Sequence, residues 1–315
     1  MITNITEEFV ISSLGWVDGS SLWLLKTDTE KSYSVPLSDA KYLSLHQGKE
    51  DYFSVLHHFD NDRLQISAHS SSAPEKIISS IFINNSKQTF EGECNVWKHL
   101  PKSYVTFSIH QGVADYWLYL IDFVNQQISF QQFEWFDESY DHGYQGIVGV
   151  TEVPNSELLL VSVQRDSQLV LYDPLKRQII QKILLAGRHG NPNLRFRSKM
   201  NELWADDYDT LLKLDATDWT IKGEKKLQDA AKDVAQFIGE FNFNRDESLC
   251  AVARPFKGDV IAIDTQTFKI RYRCVTGGSP LQVAILKDNR IFARDWQTGE
   301  LLKGRLKISL FNKLF

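Results

Sequence analysis

The chain is short of cysteine. Three thiols, Cys94, Cys250 and Cys274, stand far apart with no CxxC spacing among 315 residues. An odd, unpatterned set gives no disulfide framework, and the expectation is reduced, structural thiols in a cytoplasmic protein. Long apolar runs are also missing: no stretch of about 18 apolar residues occurs, so no transmembrane helix and no membrane role are expected. The opening MITNITEEFVISSLGW has neither the basic start nor the apolar core of a secretory signal. Basic charge is in deficit, with 35 Lys and Arg against 40 Asp and Glu for a net charge of −5. That balance argues against a dedicated nucleic-acid binder, whose affinity for phosphates comes from cations that release counterions. Named enzyme signatures are absent as well: there is no GxSxG, HExxH, P-loop, GxGxxG, CxxCH or EF-hand loop. Any active site would have to be assembled from single residues on separate loops.

What is present is alternation. The stretch Val150 to Asp173, VTEVPNSELLLVSVQRDSQLVLYD, predicts three short strands: one ending at Val153, then Glu157–Val163, then Leu169–Asp173. Pro154-Asn155-Ser156 and Gln164-Arg165-Asp166-Ser167 separate them, and such residues tolerate turn dihedrals that strands do not. The plan then returns. Strand-ending aspartates recur at Asp173, Asp215 and Asp264, with a weaker predecessor at Asp122. Each of the three is followed by a polar turn and a further strand: Gln178–Leu185, Thr220–Leu227 and Phe268–Val275. Gly-containing entries lead into the repeats at Asp141–Gly146, Gly187–Pro192 and Thr276–Pro280. A period of roughly 40–50 residues with about four strands per unit is the signature of a β-propeller blade. An ordinary β-sandwich would not need the same turn chemistry in the same order.

Upstream, residues 5–45, 52–83 and 104–135 read as degenerate blades, and 84–103 gives no regular pattern. Trp23, Trp117 and Trp204 lie inside apolar strands and are expected in the core, whereas Trp16, Trp97 and Trp296 fall near turns. The fold expected is therefore a single all-β propeller over residues 1–315, with seven blades favoured over six or eight. The last unit is one strand short, and Phe9–Ser13 is the obvious strand to close the ring, since an unpaired edge invites association. One segment breaks the pattern: Leu227–Ile238, LQDAAKDVAQFI, has helical apolar spacing. It predicts a short helix on the face of His142 and His189, with Ala231, Val234, Ala235 and Ile238 turned inward. Such a helix would be a cap over an inter-blade groove or, alternatively, a lid over one mouth of the central channel.

The phrases LLLVSVQRDSQLVLYDPLKRQIIQKILLAG and DVIAIDTQTFKIRYRCVTGGSPLQVAILKDNRIFARD resemble YVTN-type propeller repeats, a WD40-like and quinoprotein-like group. The resemblance runs from Tyr144 to about Gly299 and concerns the fold. It implies a range of activities, because such propellers include scaffolds, lyases, lactone hydrolases and quinoprotein relatives.

In a propeller, the loops entering the innermost strands and those between second and third strands share one face. That face would gather His142, Arg188 and His189 from the entries. From the second set it would gather Arg165, Asp166, Asp207, Tyr208, Arg254, Arg294, Asp295 and Trp296. His142 and His189 precede their glycines equivalently and are the weak candidates for metal ligands or proton exchange, against a reading as ordinary loop histidines. The arginines could clamp an anion, but Asp166, Asp206, Asp207 and Asp295 are as numerous, and mutual pairing of these charges is the favoured expectation. No cofactor is expected. The function expected is a cytoplasmic scaffold binding a protein partner or small ligand through this face, the alternative being a channel-mouth lyase or lactone hydrolase. Oligomeric state is not legible.

Overall fold

The computed structural model describes residues 9–12, 22–26, 31–35, 42–47, 52–60, 63–70, 76–84, 94–99, 104–111, 115–122, 127–132, 147–163, 168–185, 193–227, 237–244, 246–285, 289–298 and 300–308. Strands dominate; the helical elements among these residues are two single 3-10 turns, Ser198–Met200 and Pro255–Lys257. The chain divides into two compact units. Unit 1 comprises Met1–Asn4, Ser13–Leu24 and Ser32–Asn191; unit 2 comprises Ile5–Ser12, Leu25–Lys31 and Pro192–Phe315.

Strands β1 (Phe9–Ser12), β2 (Leu22–Lys26) and β3 (Lys31–Val35) form a three-stranded sheet in the order β1-β2-β3. Phe9–Ser12, from the segment named to close the last repeat, is ordered beside β2, as the expected blade over residues 5–45 requires. Only a short connection separates β1 from β2, and consecutive strands so joined tend to pair with each other. Unit 1 then carries three four-stranded sheets. The first contains β4 (Tyr42–Gln47), β5 (Tyr52–Asp60), β6 (Arg63–Ser70) and β7 (Ile77–Asn84). The second contains β8 (Cys94–His99), β9 (Tyr104–Gln111), β10 (Asp115–Asp122) and β11 (Gln127–Gln132). The third contains β12 (Ile147–Glu152), β13 (Leu159–Val163), β14 (Gln168–Asp173) and β15 (Gln178–Leu184). Each is an antiparallel meander in sequence order, and the first strands are neighbours, β4 beside β8 and β8 beside β12.

Unit 2 repeats the plan. One sheet holds β16 (Leu194–Arg197), β17 (Glu202–Asp207), β18 (Thr210–Asp215) and β19 (Ile221–Lys226). The next holds β20 (Phe241–Phe243), β21 (Leu249–Arg254), β22 (Asp259–Asp264) and β23 (Lys269–Val275). The last has three strands, β24 (Pro280–Ile285), β25 (Arg290–Asp295) and β26 (Leu301–Arg305). Strand β27 (Lys307–Ile308) then returns to pair with β23, placing Ile308 opposite Tyr272.

Burial follows strand position. All five residues of β13 are buried, as are five of six in β21 and in β22, whereas β15, β19 and β23 are mostly exposed or half-exposed. Sheets covered on both faces need apolar side chains on both, so the inner strands read as continuous hydrophobic runs. Between the β16–β19 and β20–β23 sheets, Trp204, Phe241, Val252 and Ile261 form the centre of a core. Trp204 is fully buried, as expected of a tryptophan inside an apolar strand, and meets Phe243 and Phe268 edge-on at 5.2 and 5.1 Å.

The strand-ending aspartates do what their position implies. Asp173 Oδ1 accepts the N–H groups of Leu175 and Lys176 at 3.0 and 2.9 Å. Asp215 Oδ1 accepts that of Thr217 at 2.8 Å, and Asp264 Oδ1 accepts those of Gln266 and Thr267 at 3.1 and 2.8 Å. These backbone hydrogen bonds are the leading cause holding all three carboxyls below their ordinary range. Four residues after each aspartate the chain turns left-handed, at Arg177 (φ 55°), Trp219 (φ 63°) and Phe268 (φ 56°). A register shift follows each turn, where the next strand carries one extra residue: Ile180 opposite Leu171 and Tyr172, Lys222 opposite Lys213 and Leu214, and Arg271 opposite Ala262 and Ile263. The repeat thus extends to backbone geometry that the residue types do not announce.

A left-handed backbone costs a side chain about 1–2 kcal/mol, which glycine avoids at some expense in unfolded-state entropy. Arg177 lies in an exposed turn, so Arg177→Gly should change stability by no more than about 1 kcal/mol. Phe268 packs on Trp204, and Phe268→Gly should lose about 3–5 kcal/mol through the cavity it leaves. Denaturant midpoints of the two variants compare them directly.

Candidate functional site

The turns between second and third strands in unit 2 are fixed by buried charge. Arg254, the last residue of β21, donates from Nε to Asp259 Oδ1 at 2.7 Å and from Nη2 to Asp259 Oδ2 at 2.6 Å. Asp259 is fully buried at the start of β22, so this two-pronged pair straddles the turn Pro255–Gly258. Arg273 on β23 donates from Nε to the same Asp259 Oδ2. The third Arg254 contact runs from Nη1 to the Leu227 carbonyl at 2.9 Å. The N–H of Leu227 donates to Asp209 O at 2.8 Å, and that of Ile238 to Tyr208 O at 2.7 Å. Both ends of the expected helical segment are therefore tied to the β17–β18 turn. Leu227 and Ile238 are each 3% exposed, in agreement with the inward placement of Ile238, while 228–236 lie outside the described residues.

Asp295 fixes the neighbouring turn. Its Oδ2 accepts the Ser279 N–H at 2.7 Å, and its Oδ1 accepts the Gln297 and Thr298 N–H groups at 2.7 and 2.9 Å. Those backbone donors outweigh burial and hold its pKa below the usual carboxylate range. Gly278 is required by this approach, since a Cβ there would fall 2.2 Å from Asp295 Oδ2. The Trp296 N–H in turn donates to Ser279 O at 2.7 Å.

On this frame stand three rings. Phe237, Phe256 and Trp296 meet edge to face, with centroids 5.1 Å apart for Phe237–Phe256, 5.3 Å for Phe237–Trp296 and 6.0 Å for Phe256–Trp296. The rings fill the space between one another, so the surface is an apolar knob rather than a cage around a cation. Phe256 and Trp296 nevertheless stay 41% and 49% exposed, and Tyr208 is 43% exposed. An aromatic surface held in place by buried salt bridges and saturated turns is rigid, amphipathic contact area with little rotamer entropy left to lose, which suits an interface.

A second polar group lies deeper in unit 2. Glu240 is buried beside β20, its N–H donating to Leu281 O at 2.7 Å. Gln282 Nε2 reaches Glu240 Oε1 at 3.3 Å. Arg195 on β16 and Arg294 on β25 both have burial pressing their pKa down and Glu240 opposing it. Asp206, also buried, accepts the Asn193 N–H at 2.7 Å and the Asn193 Nδ2 group at 3.0 Å. Burial nonetheless pushes its pKa up to about 7. The buried Cys250 and Cys274 are free thiols, and burial raises both. Among the described residues, no group of three or more His, Cys, Asp and Glu side chains is arranged to hold a metal ion.

The residues expected at the site divide. His142, Arg165, Asp166, Arg188 and His189 lie outside the described residues. Arg254 and Asp295 are structural: the first is consumed by Asp259 and Leu227, the second by backbone donors. Asp207 is buried and Arg294 half-buried next to Glu240, so neither is a rim charge. Tyr208 and Trp296 are exposed as expected. Sequence reasoning missed Phe256, whose signal was an aromatic residue at the tip of a Pro-Phe-Lys-Gly turn where polar residues are usual. Phe237 carried no comparable signal.

No family model matches the chain, and no curated protein matches it either. Solved structures do. The Cps50 (Swd1) β-propeller domain of Myceliophteria thermophila superposes with a TM-score of 0.66 at 12% identity, covering 96% of this chain and 94% of that one. A chain of the mitotic checkpoint complex gives 0.64 at 8% identity, covering 92% and 82%. The fold is a β-propeller. BamB from Moraxella catarrhalis gives 0.55 at 12% identity over 95% and 80%.

Two outcomes follow from this geometry. Removing Asp259 would leave Arg254 buried without its partner, so Asp259→Ala should cost about 3–5 kcal/mol. Arg273→Ala, at a side chain 40% exposed, should cost under about 1 kcal/mol. For Asp206, a folded pKa raised above the unfolded value means that the folded state holds its proton longer. Its stabilising contribution is complete below about pH 4 and lost as pH rises to 7. Between pH 5 and 8 the loss should be about 2–3 kcal/mol, and Asp206→Asn should abolish it in urea titrations at each pH.

Proposed function

We propose that this chain is a cytoplasmic scaffold propeller, seven-bladed and built of YVTN-like repeats, that binds a protein partner through its second-to-third-strand turns. The observation that carries this reading is the exposed, rigidly framed aromatic surface of Phe237, Phe256 and Trp296. Arg254 and Asp295, two charges of that face, are engaged in holding those turns. The seven sheets into which the described strands fall support seven blades. A neighbour that is a chain of the mitotic checkpoint complex supports a protein as the partner.

The test is affinity purification with the wild type and with the Phe256→Ala/Trp296→Ala double variant at matched thermal stability. The expected result is one protein recovered in near-stoichiometric amount by the wild type and reduced at least about tenfold, or about 1.4 kcal/mol, by the variant. Equal recovery by both would move the interface elsewhere. Turnover of esters or lactones with no partner recovered would replace the scaffold by an enzyme.

A further inference from the structure

We propose that two copies of this chain associate through β7, pairing antiparallel about Ser80 so that two four-stranded sheets join edge to edge. The aromatic surface of unit 2 takes no part in this contact. β7 is the last strand of its sheet, and among the described residues no strand pairs with its far side. Its sequence, IISSIFIN, carries no charge. The last strands β15, β19 and β26 each carry lysine, at Lys182, Lys222 and Lys303, and β23 is covered in part by β27. A lysine on an edge strand guards it against pairing with another chain, and β7 lacks that guard.

Exposure points the same way. Ile77, Ile78 and Phe82 are 53%, 57% and 48% exposed, whereas Ile81 is buried. Successive side chains of a strand face opposite sides, so Ile78, Ser80 and Phe82 share one face and Ile81 belongs to the other. The occupant is a second copy because the strand complements itself. A two-fold axis through an antiparallel pair keeps each side chain on its own face, so one residue must lie opposite its own counterpart. With Ser80 there, Ile78 of each copy lies opposite Phe82 of the other, and Ile77 opposite Ile83. Aromatic residues opposite β-branched ones are among the favourable cross-strand pairs. Centring on Ser79 would set Lys76 against Phe82, and centring on Ile81 would set Ile78 against Asn84. A chain of net charge −5 repels its own copies at long range, and an uncharged strip is where they meet without adding like charge.

Sedimentation velocity of the full chain from about 1 to 200 µM should show a monomer–dimer equilibrium, weak because so short an edge is small beside a standard interface. Ile78→Lys and Phe82→Glu should each weaken it at least about tenfold. An equimolar mixture of the two variants should restore dimers, since the introduced ammonium then faces the introduced carboxylate across the pair. Ser80→Cys should give a disulfide-linked dimer on mild oxidation, whereas Lys76→Cys and the wild type should not. The Phe256→Ala/Trp296→Ala variant should dimerise as the wild type does, which separates this contact from the docking surface. A chain that stays monomeric throughout, dimers untouched by both β7 substitutions, or no recovery in the mixture would overturn the proposal. Dimers lost in Phe256→Ala/Trp296→Ala would move self-association to the aromatic surface and overturn it as well.

Discussion

Covering the inner strands on both faces is the constraint from which the rest of this structure follows. A strand such as β21 or β22 has no wet side, so its residues must be apolar in succession and its neighbours must be sheets. Trp204, Phe241 and Ile261 meet that demand between the first two sheets of unit 2, and Val260, Val283 and Ile291 meet it between the second and third. Polar groups enter this deep where others meet them, as Glu240 meets Gln282 and Asp206 meets Asn193. Glu240 enters where Gly239 permits it, since a Cβ at Gly239 would fall 2.3 Å from Leu281 O. With the interior committed to packing, variation is left to the turns.

The turns answer to a second demand, which is to end a strand without leaving donors bare. The aspartates at 173, 215 and 264 solve it the same way, by turning a carboxylate back onto the next N–H groups. Asp295 solves a larger problem with the same chemistry, because it joins two turns and fixes Trp296 between them. Arg254 and Asp259 do comparable work for Phe256. Exposed aromatic rings are costly to hold still by packing alone, and here the charges beneath them supply the stiffness.

This division explains what could be read from the sequence. The strands of blades with full repeats were legible because period-two alternation and turn residues mark them directly: Gln178–Leu185 was expected and Gln178–Leu184 found. The strand-ending aspartates were legible for the same reason. The grouping of β1 with β2 and β3 matches the degenerate blade read over residues 5–45. Charged residues at turns were legible as positions but not as roles. Nothing in the sequence says that Arg254 finds Asp259 five residues later, across a turn, instead of a ligand. Phe256 was hidden by the assumption that a turn is polar. Glu240 and Arg195 were hidden by the converse assumption that inner positions are apolar.

The return of β27 to β23 has a consequence for how the molecule is made. The last sheet, β24 to β26, is bracketed along the chain by two strands that both belong to the preceding sheet. That preceding sheet stays incomplete at its outer edge until everything between β23 and β27 has been synthesised and has room to fold. A ribosome releasing this chain from its N-terminal end therefore delivers the missing edge late. Until then the edge of β23 is open to any passing strand, and the final sheet has to form inside a closing loop of chain. The β20–β23 sheet is thus completed only after the last sheet has been made, and a truncation that removes only β27 would strip the partner from β23 while leaving β24 to β26 paired among themselves.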